Sequence, residues 1–375
     1  MTRTILFVVN EARWFVTHRL PIGRAAAEAG YAVHVATPPG PFTQKVIEAG
    51  FTWHEVPLVR GSVNPLAELK LLLSFVRLYR RVKPDLVHHV SAKPLLYGTI
   101  AARITRVPAI VNAVTGLGHL FLANDLRHAV IRRIVGTLYR FVLRHKKLRI
   151  IFQNRDDRDL FVGKRWVREG DAVLIASGVD TDTFSPRASR MNDGPPVVIL
   201  PARLLYTKGV AEFVAAAGRL KAEGIAARFV LVGGNDPQNP ASIPEAQLEA
   251  WRAAGVVELW GERHDMPNVY READLVCLPS YREGMPKVLI EAAATGLPIV
   301  TTDAPGCRDV VRHGENGLLV KVADADSTTS ALRTLLTDAK LREEMGRRGR
   351  ERVLRELSAQ RVASDTLEVY AELVA

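Results

Sequence analysis

The sequence predicts an α/β protein of two domains, each organised around a doubly wound parallel sheet. Three observations carry that prediction. At 375 residues the chain is longer than one hydrophobic core usually serves. Short continuous apolar runs alternate with segments of helical periodicity, the pattern of parallel strands covered on both faces by helices. A polar stretch from Arg187 to Pro196, with proline and glycine, then interrupts the alternation before it starts afresh.

The first run is Ile5 to Val9, a buried strand, followed by Asn10 to Arg19, which reads as a polar loop containing Arg13, Trp14, His18 and Arg19. An alanine-rich helix ending at Gly30 comes next, then strands over Val33–Ala36 and Trp53–Val56 with a helical pattern from Phe42 to Ala49 between them. The first turn has no Gly-x-Gly-x-x-Gly, which argues against a dinucleotide site there. Arg60 to Pro65 is a basic loop leading into a helix, Leu66 to Arg81, whose cations outnumber its single acid, Glu68. That face fits a solvated helix surface. The strand from Asp85 runs into a loop that clusters His88, His89, Ser91 and Lys93, either ordinary loop residues or one wall of a cleft. Val107 to Val114 is another strand and ends in Thr115-Gly116-Leu117-Gly118-His119, where the glycines permit a tight turn or close backbone approach to a ligand.

From His119 to Arg149 the chain is amphipathic and basic, with Asp125 its only acid. Such a segment can pack its apolar stripe on the sheet, lie on an anionic membrane surface, or do both. The formal net charge of +11 likewise points to an acidic partner. Nucleic acid is disfavoured, because no aromatic platform, recognition helix or zinc spacing accompanies the charge. Two cysteines, Cys277 and Cys307, make no disulfide framework or metal quartet, in keeping with a reducing compartment. The apolar run Ile5 to Val9 near the start is too short for a signal peptide, and no apolar run approaches the length of a membrane span.

Ile150 to Asn154 closes the first sheet, and Ser177 to Pro186 reads as the hinge. The second alternation opens with the strand Val197–Leu200, whose following loop carries Arg203 and Lys208 before a helix through Ala222. Strands follow at Phe229–Val232 and Val256–Gly261. Then comes the densest stretch of the chain, a strand from Asp274 to Leu278, a turn over Ser280 to Met285, and a helix from Lys287 to Thr295 that Gly296 and Pro298 stop before a strand at Ile299. Ser327 to Arg352 reads as helix, and Ser358 to Leu373 as a last amphipathic one. Two carboxylates, Glu283 in the turn and Glu291 in the helix, sit where a parallel sheet binds anions. Alone, their spacing fits a solvated turn and helix face as well as a site for a hydroxyl-bearing ligand. The cations Arg203 and Lys208 at the same predicted edge could neutralise a diphosphate.

Glu-Gly-Met-Pro-x-Val-x-Ile-Glu-Ala-x-Ala-x-Gly-x-Pro-Ile-Val after the Asp274 strand, together with Pro-Ala-Arg-Leu-x-x-x-Lys-Gly after the Val197 strand, closely resembles the donor site of retaining family 4 glycosyltransferases. His-x-Ser-x-Lys-Pro and Val-Thr-Gly-Leu-Gly resemble the bacterial branch acting on polyprenyl-diphosphate-linked saccharides. The resemblance implies a GT-B fold, two Rossmann-like domains facing across a cleft. Residues 1–182 would bind acceptor and 188–352 the nucleotide sugar, with 354–375 crossing back to the first domain. It implies transfer of a hexose or N-acetylhexosamine from a UDP-sugar to a lipid-linked saccharide in surface polysaccharide or glycan biosynthesis. Glu283 would bind the donor sugar and Glu291 its ribose, while Arg203, Lys208 and the backbone of Gly284, Met285, Pro286, Lys287 and Val288 would hold the diphosphate. Catalytic histidines would be His119 or His88, and His18, Arg60, Lys93, Thr115 and Gly116 would face the acceptor. No metal or other cofactor is expected. The expected location is the cytoplasm, peripheral at the inner face of the plasma membrane. A nucleotide-sugar epimerase of the same architecture and a non-catalytic polyanion-binding protein remain as alternatives.

Overall fold

The computed structural model describes residues 2–59, 64–116, 133, 136–187, 194–237 and 239–375. The chain divides into two units, the first of residues 1–176 with 359–375, the second of 177–358. The expected division lay near 182–188, and the helix Ala359–Val374 is part of the first unit.

The first unit holds a seven-stranded sheet, ordered β3-β2-β1-β4-β5-β6-β7. Its strands are β1 (Thr4–Val9), β2 (Ala32–Thr37), β3 (Thr52–Glu55), β4 (Leu86–Val90), β5 (Ala109–Val114), β6 (Leu148–Phe152) and β7 (Ala172–Leu174). Every pairing is parallel. The apolar runs are continuous because both faces are covered: all residues of β4 and β5 are buried. One face packs Phe7, Phe15, Ile22 and the terminal helix's Val369, Tyr370 and Leu373. The other packs Phe75 and Tyr79 of the helix Pro65–Val82 with Tyr139, Phe152 and Phe161.

The second unit holds six parallel strands in the order β10-β9-β8-β11-β12-β13. They are β8 (Val197–Pro201), β9 (Arg228–Val232), β10 (Glu258–Gly261), β11 (Leu275–Leu278), β12 (Ile299–Thr302) and β13 (Gly317–Val320). In both sheets the order reverses beside the first strand, between β1 and β4 and between β8 and β11. Such reversals open the crevice in which doubly wound sheets bind ligands, beyond the carboxyl ends of the strands.

Two local expectations are corrected. Asn10 to Arg19 is not all loop: Ala12–His18 is a helix, held down by buried Ala12 and Phe15. The charged helix over 327–352 is two helices, Ala325–Thr337 and Ala339–Arg352, because the Asp338 side chain accepts from the Leu341 amide and caps a new start. The Gly314–Gly317 turn leads into β13, which joins the sheet parallel to β12.

Candidate active site

The switch point of the second sheet gathers most of the residues expected to hold the donor. The loop after β8 carries Arg203, Thr207 and Lys208, and the loop after β11 carries Ser280 and Glu283. Backbone and hydroxyl bonds stitch the two loops together. Tyr281 N donates to Thr207 O at 3.0 Å and Ser280 Oγ donates to the same carbonyl at 3.1 Å, while Thr302 Oγ1 at the end of β12 donates to Ser280 O. Glu283 Oε1 accepts from Ser280 Oγ at 2.7 Å and forms an ion pair with Lys208 Nζ. Both ends of that pair are mostly buried, so it works against less water than a surface pair would.

Two glycines make this approach possible. Gly209, with φ of 74°, lies against Pro279, where any Cβ would meet the Pro279 carbonyl. Gly306, with φ of 81°, lies against the carbonyls of Glu283 and Gly284. The Glu283 amide in turn donates to Pro305 O at 3.0 Å, which fixes the turn from the β12 side.

The helix Lys287–Ala294 begins immediately after Pro286, which is its N-cap residue. Glu291 on that helix is buried, and desolvation pushes its carboxyl up to about 7, against the opposing pull of Lys287 and the Tyr270 hydroxyl. Tyr270 Oη donates to Glu291 Oε2 at 3.1 Å and to Val288 O at 3.0 Å, while Lys287 Nζ stands 3.9 Å from Glu291 Oε1. Burial lowers the Lys287 pKa, with Glu291 and Asp180 acting to raise it. Met285 is buried and its Sδ accepts the Ser177 amide at 3.3 Å. Arg203 stands apart from this arrangement, its Nη1 paired with Asp236 Oδ2 at 2.7 Å on an exposed surface.

On the first unit the expected residues are less united. Thr115 and Gly116 are exposed just beyond β5, and Thr115 Oγ1 lies 3.5 Å from Ser91 Oγ beyond β4. Ser91 has φ of 80°, a left-handed value unusual for serine, at the edge where the strand order reverses. Lys93 is engaged elsewhere: its Nζ donates to Glu68 Oε1 at 2.6 Å and to Val59 O at 2.8 Å. His18 is half-buried, bonded to Thr17 Oγ1 at 2.7 Å, with its ring edge-on to Trp14. His119 and Arg60 lie outside the described residues.

His88 corrects an expectation. It occupies the middle of β4 with no exposed surface, its ring beside Phe7 and bonded through Nδ1 to the Tyr370 hydroxyl of the terminal helix. Burial holds its pKa well below the usual histidine value. The sheet and the helix enclose it, so it cannot meet a substrate directly. His89 is equally enclosed, Nδ1 bonded to Asn112 Oδ1 and Nε2 to Tyr79 Oη, both at 2.8 Å.

Several residues of the site had no signal in the sequence. Tyr270 lies 21 positions from the carboxylate it touches. Asp180 accepts from the Thr183 hydroxyl at 2.8 Å and from the Asp182 and Thr183 amides, bonds that overcome desolvation and lower its pKa. Away from that site, in the first unit, Arg19 of the expected polar loop is a buried guanidinium whose Nε and Nη2 have no hydrogen-bond partner. Among the described residues no group of three or more His, Cys, Asp or Glu side chains could hold a metal ion.

Comparison with known proteins gives the family and the fold. Residues 181–352 match the family described as Glycosyl transferases group 1, and residues 4–154 the one described as Glycosyl transferase 4-like. The chain is 30% identical over 338 residues to the N,N'-diacetylbacillosaminyl-diphospho-undecaprenol alpha-1,3-N-acetylgalactosaminyltransferase of Campylobacter jejuni, covering 86% of this chain and 87% of that protein. It is 26% identical over 330 residues to the UDP-Gal:alpha-D-GlcNAc-diphosphoundecaprenol alpha-1,3-galactosyltransferase of Escherichia coli, covering 85% and 83%. Anabaena HepE, solved in complex with UDP, has a TM-score of 0.80 at 19% identity, covering 98% of this chain and 100% of that one. A glycosyltransferase from Rickettsia africae also reaches 0.80, at 17% identity and covering 100% and 99%. At those identities the likeness to the solved structures is one of fold.

Proposed function

Since the chain belongs to the group 1 glycosyltransferases, we propose that it is a retaining hexosyltransferase acting on a UDP-sugar and a saccharide carried on a polyprenyl diphosphate. The sugar is a hexose or N-acetylhexosamine, and the product belongs to a surface polysaccharide or glycan. The observation that carries this reading is the pair of carboxylates, Glu283 and Glu291, on one strand-turn-helix at the switch point of the second sheet, with Lys208 reaching Glu283 from the neighbouring loop.

Glu283 takes the donor's sugar hydroxyls, Glu291 its ribose, and Lys208, Arg203 and the backbone from Gly284 to Val288 its diphosphate. In the reaction the bond from the anomeric carbon to the diphosphate oxygen breaks and the acceptor hydroxyl oxygen bonds that carbon. The hydroxyl proton leaves with the diphosphate. Negative charge grows on the diphosphate as the bond breaks, so fixed cations and amides there favour the transition state over the ground state. These cations do the work a divalent ion would do, and transfer is metal-independent. On the first unit, Thr115, Gly116 and Ser91 at the carboxyl edge offer polar contacts to the acceptor. The names of the Campylobacter and Escherichia relatives, both alpha-1,3 transferases on undecaprenyl-diphosphate-linked sugars, support the acceptor class and, for an alpha-linked donor, retention. An acceptor of that kind keeps the enzyme at the cytoplasmic membrane surface.

The test is incubation with UDP-sugars and a polyprenyl-diphosphate-linked saccharide in the presence of a chelator, with product mass and anomeric configuration read out. The cognate UDP-sugar at a hundred times its dissociation constant should also add roughly 2.7 kcal/mol of stability. Interconversion of the nucleotide sugar without acceptor would favour an epimerase, and neither stabilisation nor transfer with any donor would favour a polyanion-binding protein.

A further inference from the structure

The helix Pro65–Val82 has two contrasting faces. Leu71, Phe75, Leu78 and Tyr79 point into the core of the first unit. The opposite face, half a turn away at helical spacing, carries Leu66, Leu69 and Leu73 and then Arg77 and Arg80. The leucines are 77%, 53% and 45% exposed. Single exposed leucines are ordinary, but three in register on the face turned from the core make an apolar stripe open to solvent. The one acid of the helix, Glu68, is neutralised by Lys93, so the outward charge is cationic throughout.

A second patch lies on the same layer. The helical stretch 136–142 packs Tyr139 on the same core, and Arg103, from the helix Thr99–Thr105 that packs against Pro65–Val82, donates to Phe141 O at 2.6 Å. The Phe141 side chain is 69% exposed, flanked by exposed Arg140 and Arg144. Apolar tips thus stand among cations on two helices that cover one face of the sheet.

We propose that this face, with the outer stripe of Pro65–Val82 at its centre, docks the protein on an anionic phospholipid surface. A second copy would set cations against cations, and an apolar groove would leave the arginines without counter-charges. A layer of anionic headgroups over acyl chains satisfies both residue types at once, leucines entering below the level at which the arginines pair. This deepens the proposed function and rests on it only for the purpose of the contact, because vesicle binding requires no sugar transfer.

The experiment is sedimentation of the full chain with vesicles of phosphatidylcholine alone or mixed with phosphatidylglycerol. Wild type should bind the mixed vesicles, more weakly as salt rises. Leu66→Ser with Leu69→Ser and Leu73→Ser, and separately Arg77→Glu with Arg80→Glu, should each lower partitioning at least about tenfold. Because these side chains face solvent, melting temperatures and transfer to a short-chain, water-soluble acceptor should stay at wild-type levels. Equal binding by wild type and both variants would overturn the proposal, as would wild-type binding indifferent to anionic lipid, or self-association in solution abolished by the leucine variant. Loss of soluble-acceptor transfer in wild type itself would instead count against the functional reading.

Discussion

Lys208 Nζ is paired with Glu283 Oε1 across the switch point of the second sheet, joining the loop that follows β8 to the loop that follows β11. Ser280 Oγ holds the same carboxylate oxygen at 2.7 Å. Glu283→Ala should lower kcat/KM for transfer by more than tenfold, about 1.4 kcal/mol of transition-state stabilisation. A smaller loss would remove Glu283 from the role proposed for it. Lys208→Met should lower kcat by at least as much if the ammonium meets charge that develops only as the bond breaks, so a change confined to KM would reassign it to ground-state binding.

Glu291 gives a pH dependence of definite sign. Burial raises its carboxyl from an ordinary 4.5 to about 7, so the folded protein holds that proton more tightly than the unfolded chain does. The stabilisation is full below about pH 4.5 and is lost as pH rises through 7, a span worth on the order of 3 kcal/mol. Glu291→Gln, which keeps the shape and cannot ionise, should flatten that part of the profile and be the more stable protein at pH 8. Denaturant titrations of both proteins at pH 5 and pH 8 provide the check, and parallel profiles would contradict the assignment.

Gly306 is required twice over, by its φ of 81° and by its contact with the Glu283 and Gly284 carbonyls. Gly314 has a similar φ of 78° but open space where a Cβ would stand. Alanine at either position should cost more than about 1 kcal/mol from backbone strain. Only Gly306→Ala should also displace the Glu283 turn and weaken nucleotide-sugar binding, measured by calorimetry. Equal effects on affinity from the two substitutions would show that the contact does not position the turn.

The sequence by itself was enough for the two parallel sheets and for the loops that carry Lys208 and Glu283. Burial on both faces demands uninterrupted Val, Ile and Leu, and turns written with Gly and Pro cannot be mistaken for strand, so Ile5–Val9, Val197–Leu200 and Asp274–Leu278 announce themselves locally. What only tertiary structure decided are relationships between distant positions. No spacing links Tyr270 to Glu291, or His88 to Tyr370, 282 residues away, because packing and not periodicity brings them together. His88 is the instructive case. A histidine near the end of a strand reads as a wall residue until the terminal helix folds over it, and from that packing follows its low pKa and its enclosure. The sheet order is of the same kind, since local sequence makes a strand, while the position of β8 beside β11 is set by which helices can cover which face, and that choice creates the crevice where Lys208 meets Glu283.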